Sequence, residues 1–289
     1  MRWQDERRST NVEDRRGFPV RGAGVVGGGA ILVALVATLL GAPPGLVRAI
    51  LGGGADDDGT TTQTTTPANP ADNERVDFVR AVLGSTEDVW TAVLPKSGRA
   101  YVPPKLVLFS DAVESACGIA GAAVGPFYCP PDRQVYLDLS FLRQLATRFG
   151  APGDFAQAYV IGHEVGHHVQ NLLGISRRVE SRRAAATTRA ASNRLSVETE
   201  LQADCLAGVW AYHANRTHHV LEPGDVDSAL RAATAIGDDT LQRQARGQVV
   251  PDSFTHGTSA QRVRWLRTGL ERGRVEDCDT FNAESLGAL

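Results

Sequence analysis

An H-E-x-x-H motif, His163-Glu164-Val165-Gly166-His167, is the feature of this 289-residue chain that most constrains its fold. Residues four apart on a helix lie one above the other, so the two histidines would direct their imidazoles at one point. Two such nitrogens suit a tetrahedral zinc site. Glu164 lies about 100° around the helix, from where it could reach a metal-bound water without being a ligand. The motif therefore predicts the centre of a zinc hydrolase site.

The residues around the motif predict a helix with one buried face. Apolar side chains recur at spacings of three and four, at Ala158, Ile161, Val165, Val169 and Leu172. Asp154 is a predicted N-cap after Gly153, and Gly174 is a predicted stop. Two histidines and a glutamate on so apolar a helix would be costly to bury without polar partners. We therefore favour a metal site over a core helix with incidental histidines.

A second predicted helix, over residues 196–212, supplies the third ligand that a catalytic zinc site needs. Glu200 and Asp204 are four apart and share one face of it. Glu200 is the predicted ligand, and Asp204 can accept the free ring N–H of a zinc-bound histidine. Glu198 is the rival third ligand. A solvated acidic pair on an exposed face is the alternative that involves no metal.

Several further motifs accompany these two segments. They are the opening Met-Arg-Trp with residues 11–17, Cys117-Gly118, and residues 125–130, 135–138, 162–171, 200–205 and 254–262. H-E-x-x-H followed by E-x-x-x-D is similar to the gluzincin pattern, of which thermolysin is the best-known case. Together the motifs resemble the bacterial membrane-anchored "putative neutral zinc metallopeptidase" family, over nearly the whole chain apart from a linker. The resemblance implies peptidase chemistry and leaves the physiological substrate open.

The N-terminal quarter of the chain predicts a membrane anchor. Residues 22–47 carry no charge and are long enough to cross a bilayer as one transmembrane helix, which makes lipid a partner. The arginines that precede them are Arg7, Arg8, Arg15, Arg16 and Arg21. By the positive-inside rule, residues 1–21 form a cytoplasmic arm, and the rest lies outside a bacterial cell membrane. A cleaved signal peptide and a buried soluble helix are the alternatives.

Composition divides the remainder into a linker and one domain. Residues 48–73 are rich in Gly, Thr and Asp and predict a flexible linker, because they lack the apolar residues that a core needs. Residues 74–289 are the predicted zinc metallopeptidase domain. The formal net charge of −3 argues against nucleic acid as a partner.

The four cysteines suit an extracytoplasmic domain with disulfide bonds. Cys117 and Cys129 bracket a Gly/Ala-rich loop, and we favour a disulfide between them. Cys205 then pairs with Cys278. Four cysteines allow three pairings, and zinc thiolates are the competing use.

The predicted fold is α+β, a zincin-like domain that is mostly helical with a small β-sheet. Besides the two site helices, the patterns predict helices over 72–93, 140–149, 178–194, 223–235 and 259–270, and strands over 106–109 and 135–138. An extended substrate could add as a strand beside the metal in such a layout.

The predicted activity is hydrolysis of peptide or protein substrates with one zinc ion per chain. Zinc held by His163, His167 and Glu200 would activate water, and Glu164 would act as the general base. His256 is the candidate donor to the tetrahedral oxyanion, and its alternative role is a loop histidine that caps backbone groups. Two other functions stay open: a zinc-stabilised binding or scaffold module without turnover, and a zinc amidase that acts on a small substrate.

Overall fold

The computed structural model describes residues 1–16, 70–121 and 124–282. The helices in these ranges are α1 Pro70–Val93, α2 Leu139–Thr147, α3 Asp154–Leu172, α4 Ile175–Ala184, α5 Arg189–His218, α6 Asp225–Ala235, α7 Asp238–Arg246 and α8 Ser259–Arg272. The strands are β1 Val12–Asp14, β2 Lys105–Phe109, β3 Ala112–Ser115, β4 Gly118–Gly121, β5 Phe127–Cys129 and β6 Gln134–Asp138. Short 3-10 helices occur at Leu94–Ser97, Pro251–Ser253 and Val275–Cys278. The fold is α+β and mostly helical with a small sheet, as the sequence predicts.

The main sheet has the strand order β1-β2-β6-β5, in which only the β5–β6 pair is antiparallel. Alternate residues of β2 and β6 point to opposite faces, as the period of two requires. Leu106 and Leu108 face the helices and join the main core. Val107 and Phe109 face a second apolar cluster that includes residues of β3 and β4. The β3–β4 hairpin therefore covers the sheet face that the helices leave open.

The helix that carries the H-E-x-x-H motif, α3, packs against α1, α5 and α6 and is buried along most of its length. Its predicted N-cap differs from the observed one. Gly153 occupies the cap position and Asp154 is the first helical residue, with no side-chain capping bond. The Asp154 carboxylate instead accepts a hydrogen bond from the Trp3 indole N–H at 2.9 Å. A distant part of the chain thus competes with the local cap.

The second half of the chain also differs from its prediction around residues 178–194, and it contains one helix, α7, that was not predicted. The predicted helix over 178–194 is divided between α4 and α5, which are separated by residues 185–188. Thr188 caps α5, because its side chain accepts a hydrogen bond from the backbone N–H of Ala191. The predicted second site helix, over 196–212, therefore lies inside a 30-residue helix that begins at Arg189.

Residues 1–16 pack into the same unit as the rest of the described chain. They are predicted to form an arm outside the domain, but β1 pairs in parallel with β2. Trp3 is buried and makes an edge-on contact with Phe78, with 5.5 Å between ring centroids. Arg8 donates to both carboxylate oxygens of Asp77 at 2.7–2.9 Å, and Arg7 donates to Glu87 at 2.7 Å. Two arginines of the positive-inside pattern therefore pair with acidic residues of α1.

The predicted transmembrane helix at 22–47 and most of the predicted linker at 48–73 lie outside the described residues. Within the ranges that the structure describes, no helix is long and apolar enough to cross a membrane. The pKa of Arg16 is raised mainly by its hydrogen bond to Asp14 and also by the charge of Asp72. Residues 16 and 72 therefore lie within reach of each other's charge.

Candidate metal centre and active site

Two glycines set the distance between the helices that carry the site. A Cβ on Gly162 would lie 2.8 Å from the Trp210 ring, and one on Gly166 would lie 2.9 Å from the Ala203 carbonyl oxygen. Real Cβ atoms essentially never approach other heavy atoms so closely. Glycine at both positions lets α3 contact α5 at backbone distance. The H-E-x-x-H motif consequently faces the Glu200 turn of α5.

The three predicted metal ligands converge across this contact. Glu200 Oε2 lies 3.1 Å from His163 Nε2, and Glu200 Oε1 lies 3.4 Å from His167 Nε2. One ligand atom from each of the three residues falls within 4.8 Å of the others. Zinc bonds to imidazole and carboxylate ligands are about 2.0–2.2 Å long, so one ion fits between these atoms. Two nitrogens, one oxygen and an open side are the donor set of a catalytic zinc site.

The rival ligand, Glu198, does not join this group. It is buried two residues earlier on α5, and one of its carboxylate oxygens has no hydrogen-bond partner among the described residues. The pKa of Glu198 is raised, mainly because its carboxyl group is buried. Two positions along a helix rotate a side chain by about 200°, which explains why Glu198 and Glu200 face different ways.

Asp204 contacts the ring of His163, the first candidate ligand. Its Oδ1 lies 2.8 Å from His163 Nδ1, so this nitrogen carries the proton and Nε2 is left for the metal. The same fully buried carboxylate accepts from the Tyr159 hydroxyl at 2.6 Å and from the Arg262 guanidinium at 2.8 and 2.9 Å. Burial raises the pKa of Asp204, but Arg262 and His163 outweigh it and hold the pKa at about 2. Asp204 is therefore a carboxylate at all ordinary pH values.

The site attracts positive charge. Burial lowers the pKa of His163, but Asp204 and Glu200 outweigh it and raise the pKa to about 10. Burial raises the pKa of Glu200, but His167 and His163 outweigh it and lower the pKa well below its usual range. Buried carboxylates that stabilise imidazolium in this way also favour a divalent cation between the same groups. The charges of the site therefore suit the proposed ion.

Comparisons with known proteins place the chain in one family. The family described as "putative neutral zinc metallopeptidase" matches residues 1–281. The chain belongs to that family. It is 46% identical over 287 residues to the uncharacterized protein YpfJ of Escherichia coli. The aligned region covers 97% of this chain and 99% of that protein. It is 44% identical over 229 residues to an uncharacterized protein of Mycobacterium tuberculosis, and this aligned region covers 75% of both chains. No solved structure matches the chain.

Glu164, the predicted general base of this family member, lies beside the ligands and is 7% exposed. It lines the same cleft as His163, His167 and Glu200. The pKa of Glu164 is raised, mainly because the carboxyl group is buried. The charges of His163 and His167 lower it, but burial outweighs them. A carboxylate with a raised pKa is a stronger base, which suits proton transfer near neutral pH.

His256 also lines the cleft, and an unpredicted residue, Asp238, holds it there. Asp238 Oδ1 lies 3.3 Å from His256 Nδ1. Asp238 Oδ2 accepts the backbone N–H groups of Thr255, His256 and Gly257 at 2.6–3.0 Å. The loop is thus wrapped around one carboxylate at the start of α7. With Nδ1 engaged, Nε2 is the ring nitrogen left to contact a substrate.

The cleft in front of the ligands has a volume of about 1200 Å³. One side is apolar, formed by Ile119, Val124, Phe127 and Phe141. Strand β4 borders the cleft and pairs with β3 alone among the described strands. Its other edge is where an extended peptide could add as a further strand. The volume exceeds the 300–1,000 Å³ typical of small-molecule pockets, which favours a chain as substrate.

His168, next to the second ligand, has a structural role. Its Nε2 lies 2.6 Å from the Val102 carbonyl oxygen, and its Nδ1 lies 3.0 Å from the Tyr128 hydroxyl. The carbonyl can only accept, so Nε2 carries the proton and Nδ1 accepts from tyrosine. Burial lowers the pKa of His168 to about 4, which keeps the ring neutral. It ties α3 to the segment that leads into β2.

Both disulfides have the predicted pairing. Cys117 is bonded to Cys129, and Cys205 is bonded to Cys278. No free cysteine is found in the described part of the chain, so thiolates do not contribute to the metal group there. The first disulfide borders the cleft, and the second joins α5 to the 3-10 helix at Val275–Cys278.

Proposed function

We propose that this protein is a zinc-dependent peptidase with a zincin-like catalytic domain, holding one zinc ion through His163, His167 and Glu200. The observation that carries the proposal is the convergence of these three ligands beside Glu164 in a large open cleft. A closed structural zinc site would have four protein ligands and no use for a buried base. This counts against the binding or scaffold module.

The chain's own groups divide the work of hydrolysis. A bound zinc ion would lower the pKa of a water molecule and polarise the scissile carbonyl. Glu164 accepts the proton of the attacking water and delivers it to the leaving amine nitrogen. His256 Nε2 donates a hydrogen bond to the developing oxyanion. Asp204 keeps His163 in the tautomer that presents Nε2.

The test is zinc content together with cleavage, measured on the full-length protein in detergent. Elemental analysis should give one zinc per chain, and an unfolded protein and a peptide library should both be cut. Removal of the metal with a chelator should abolish cleavage, and added zinc should restore it. One zinc with no cleavage of either substrate would favour the scaffold module. Cleavage of small amides but not of peptides would favour the amidase.

The role proposed for His256 predicts a selective loss. His256→Leu should lower kcat about 10²-fold with little change in KM, because the lost donor acts in the transition state. Burial lowers the pKa of His256, but Asp238 and Glu200 outweigh burial and raise the pKa above its ordinary value of 6.5. The ring therefore stays protonated to a higher pH than a free histidine does. The fall in kcat at alkaline pH that accompanies deprotonation of His256 should therefore be smaller in the variant. His219→Asn, at an exposed left-handed helix end, is the control.

We further propose that residues 1–16 and the catalytic domain lie together on the extracytoplasmic side. Two disulfides support that side, since such bonds persist in oxidising compartments. The contacts of Trp3, Arg7 and Arg8 with α1 support a shared side. A single span between residues 16 and 70 would place these partners on opposite faces of a bilayer.

Thiol labelling in bacterial spheroplasts checks this arrangement. Thr10→Cys and Arg99→Cys each put a thiol at an exposed position, one in the N-terminal segment and one in the domain. A membrane-impermeant maleimide should label both variants to the same extent before lysis. Labelling of Arg99→Cys alone would restore the single span with a cytoplasmic N-terminus. Labelling of neither before lysis would contradict the extracytoplasmic assignment.

A further inference from the structure

The second histidine ligand has a support that differs from that of the first. His167 Nδ1 lies 2.9 Å from Gln170 Oε1, where His163 has a carboxylate. Gln170 is fully buried, one turn after His167 on α3. An amide can present either its oxygen or its NH₂ group to a ring nitrogen, so Gln170 by itself does not determine which His167 nitrogen is protonated.

Two backbone carbonyls remove that freedom. Gln170 Nε2 donates to the Thr199 carbonyl at 2.7 Å and to Gln202 Oε1 at 3.1 Å. Gln202 Nε2 in turn donates to the Cys278 carbonyl at 2.9 Å. Carbonyl oxygens only accept, so both amides have one allowed orientation. Gln170 must then turn its oxygen to His167, Nδ1 must carry the proton, and Nε2 faces Glu200.

The last carbonyl is held by a disulfide. Cys278 is bonded to Cys205, which lies three residues after Gln202 on α5. Gln202 is 7% exposed, and Cys205 and Cys278 are fully buried. If the bond from Gln202 to the Cys278 carbonyl were lost, water would have little access to take the place of the carbonyl. The covalent bond and the hydrogen bond from Gln202 therefore join the same two segments side by side.

We propose that a hydrogen-bond relay from the disulfide-anchored Cys278 carbonyl through Gln202 and Gln170 positions His167 for metal binding, so that the Cys205–Cys278 bond sets the zinc affinity. The inference rests on the proposed metal site and adds the groups that position its second histidine. Gln170 and Gln202 are positioning residues, because each acts on the metal through His167. Outer partners of ligating histidines change metal affinity by about 10- to 100-fold when they are removed.

The experiment measures the zinc dissociation constant of the full-length protein in detergent by competition with a chromophoric chelator. Gln170→Leu should raise the constant about 10- to 100-fold, and Gln202→Leu should raise it about tenfold. The double variant should match Gln170→Leu, because Gln202 acts only through Gln170. Gln242→Leu is the matched control, since that glutamine is equally buried but bonds to Ser253 and the Val250 N–H. Thermal unfolding of each zinc-free variant separates affinity from stability.

The disulfide arm uses Cys205→Ser/Cys278→Ser and, as its control, Cys117→Ser/Cys129→Ser. Cys205→Ser/Cys278→Ser should raise the zinc dissociation constant about as much as Gln202→Leu does. Combined with Gln202→Leu, the two serine substitutions should cause no further increase. Unchanged affinity in the glutamine variants, or additive losses in the double variant, would overturn the relay. Unchanged affinity in the first serine pair would overturn the contribution of the Cys205–Cys278 bond. Zinc binding without cleavage overturns the proposed peptidase activity alone, whereas a wild type that binds no zinc overturns both.

Discussion

Replacement of Glu164 by glutamine is expected to slow peptide cleavage by about 10²- to 10⁴-fold, the range for loss of a general base. The amide has nearly the same shape as the carboxylate but accepts no proton near neutral pH. The three ligand residues are unchanged, so elemental analysis should still find one zinc per chain. The rate should be measured as kcat on a single peptide identified from the library.

The control for this variant is Glu180→Gln. Glu180 lines the same cleft and is exposed on α4, so the substitution removes the same charge without touching the ligand group. It should retain kcat within about threefold, since an exposed charge acts weakly on a buried reaction. Equal losses in both variants would indicate an effect of cleft charge on substrate binding. Retained cleavage in Glu164→Gln would remove Glu164 from the mechanism.

The convergence of the candidate metal ligands could be predicted because the information is local. His163 and His167 need only helical periodicity to share a face, and Glu200 and Asp204 need the same on a second helix. The approach of the two helices was encoded as well. Gly162 lies inside the apolar stretch, and only the structure shows that it faces Trp210.

The partners of these residues were harder to predict, because they come from distant elements. Arg262 follows Asp204 by 58 positions, and Asp238 precedes His256 by 18. One signal was available for the arginine. Arg262 shares a face of α8 with the buried Trp265 and Leu266, and a charge on such a face requires a buried partner.

The N-terminal segment shows how one pattern can support two structures. Arginines before an uncharged stretch predict a cytoplasmic arm by the positive-inside rule. The same arginines pair with Asp77 and Glu87 of α1, more than 60 residues away in sequence. Gly84 permits the contact, since a Cβ there would lie 2.1 Å from the Arg7 carbonyl oxygen. Ion pairing over such a separation cannot be deduced from composition.

Removal of the Arg262 guanidinium is expected to destabilise the zinc-free protein by about 3–5 kcal/mol, because Asp204 would be left as a buried and unpaired charge. Arg262 is 3% exposed and donates to both oxygens of Asp204. Arg262→Met keeps much of the side-chain volume and removes the charge. Urea unfolding should be followed in excess chelator, so that a change in zinc binding does not enter the free energy.

The acid dependence of stability should change in the same variant. With its pKa held at about 2, Asp204 contributes stability above its unfolded value near 3.8, and this contribution is lost as pH falls towards 2. Without Arg262 the folded pKa rises, so less of this stability is present at neutral pH and less is lost on acidification. Arg264→Met on the exposed side of α8 should stay within about 0.5 kcal/mol of the wild type. A loss below about 1 kcal/mol in Arg262→Met would mean that Tyr159 and His163 suffice to hold the Asp204 charge.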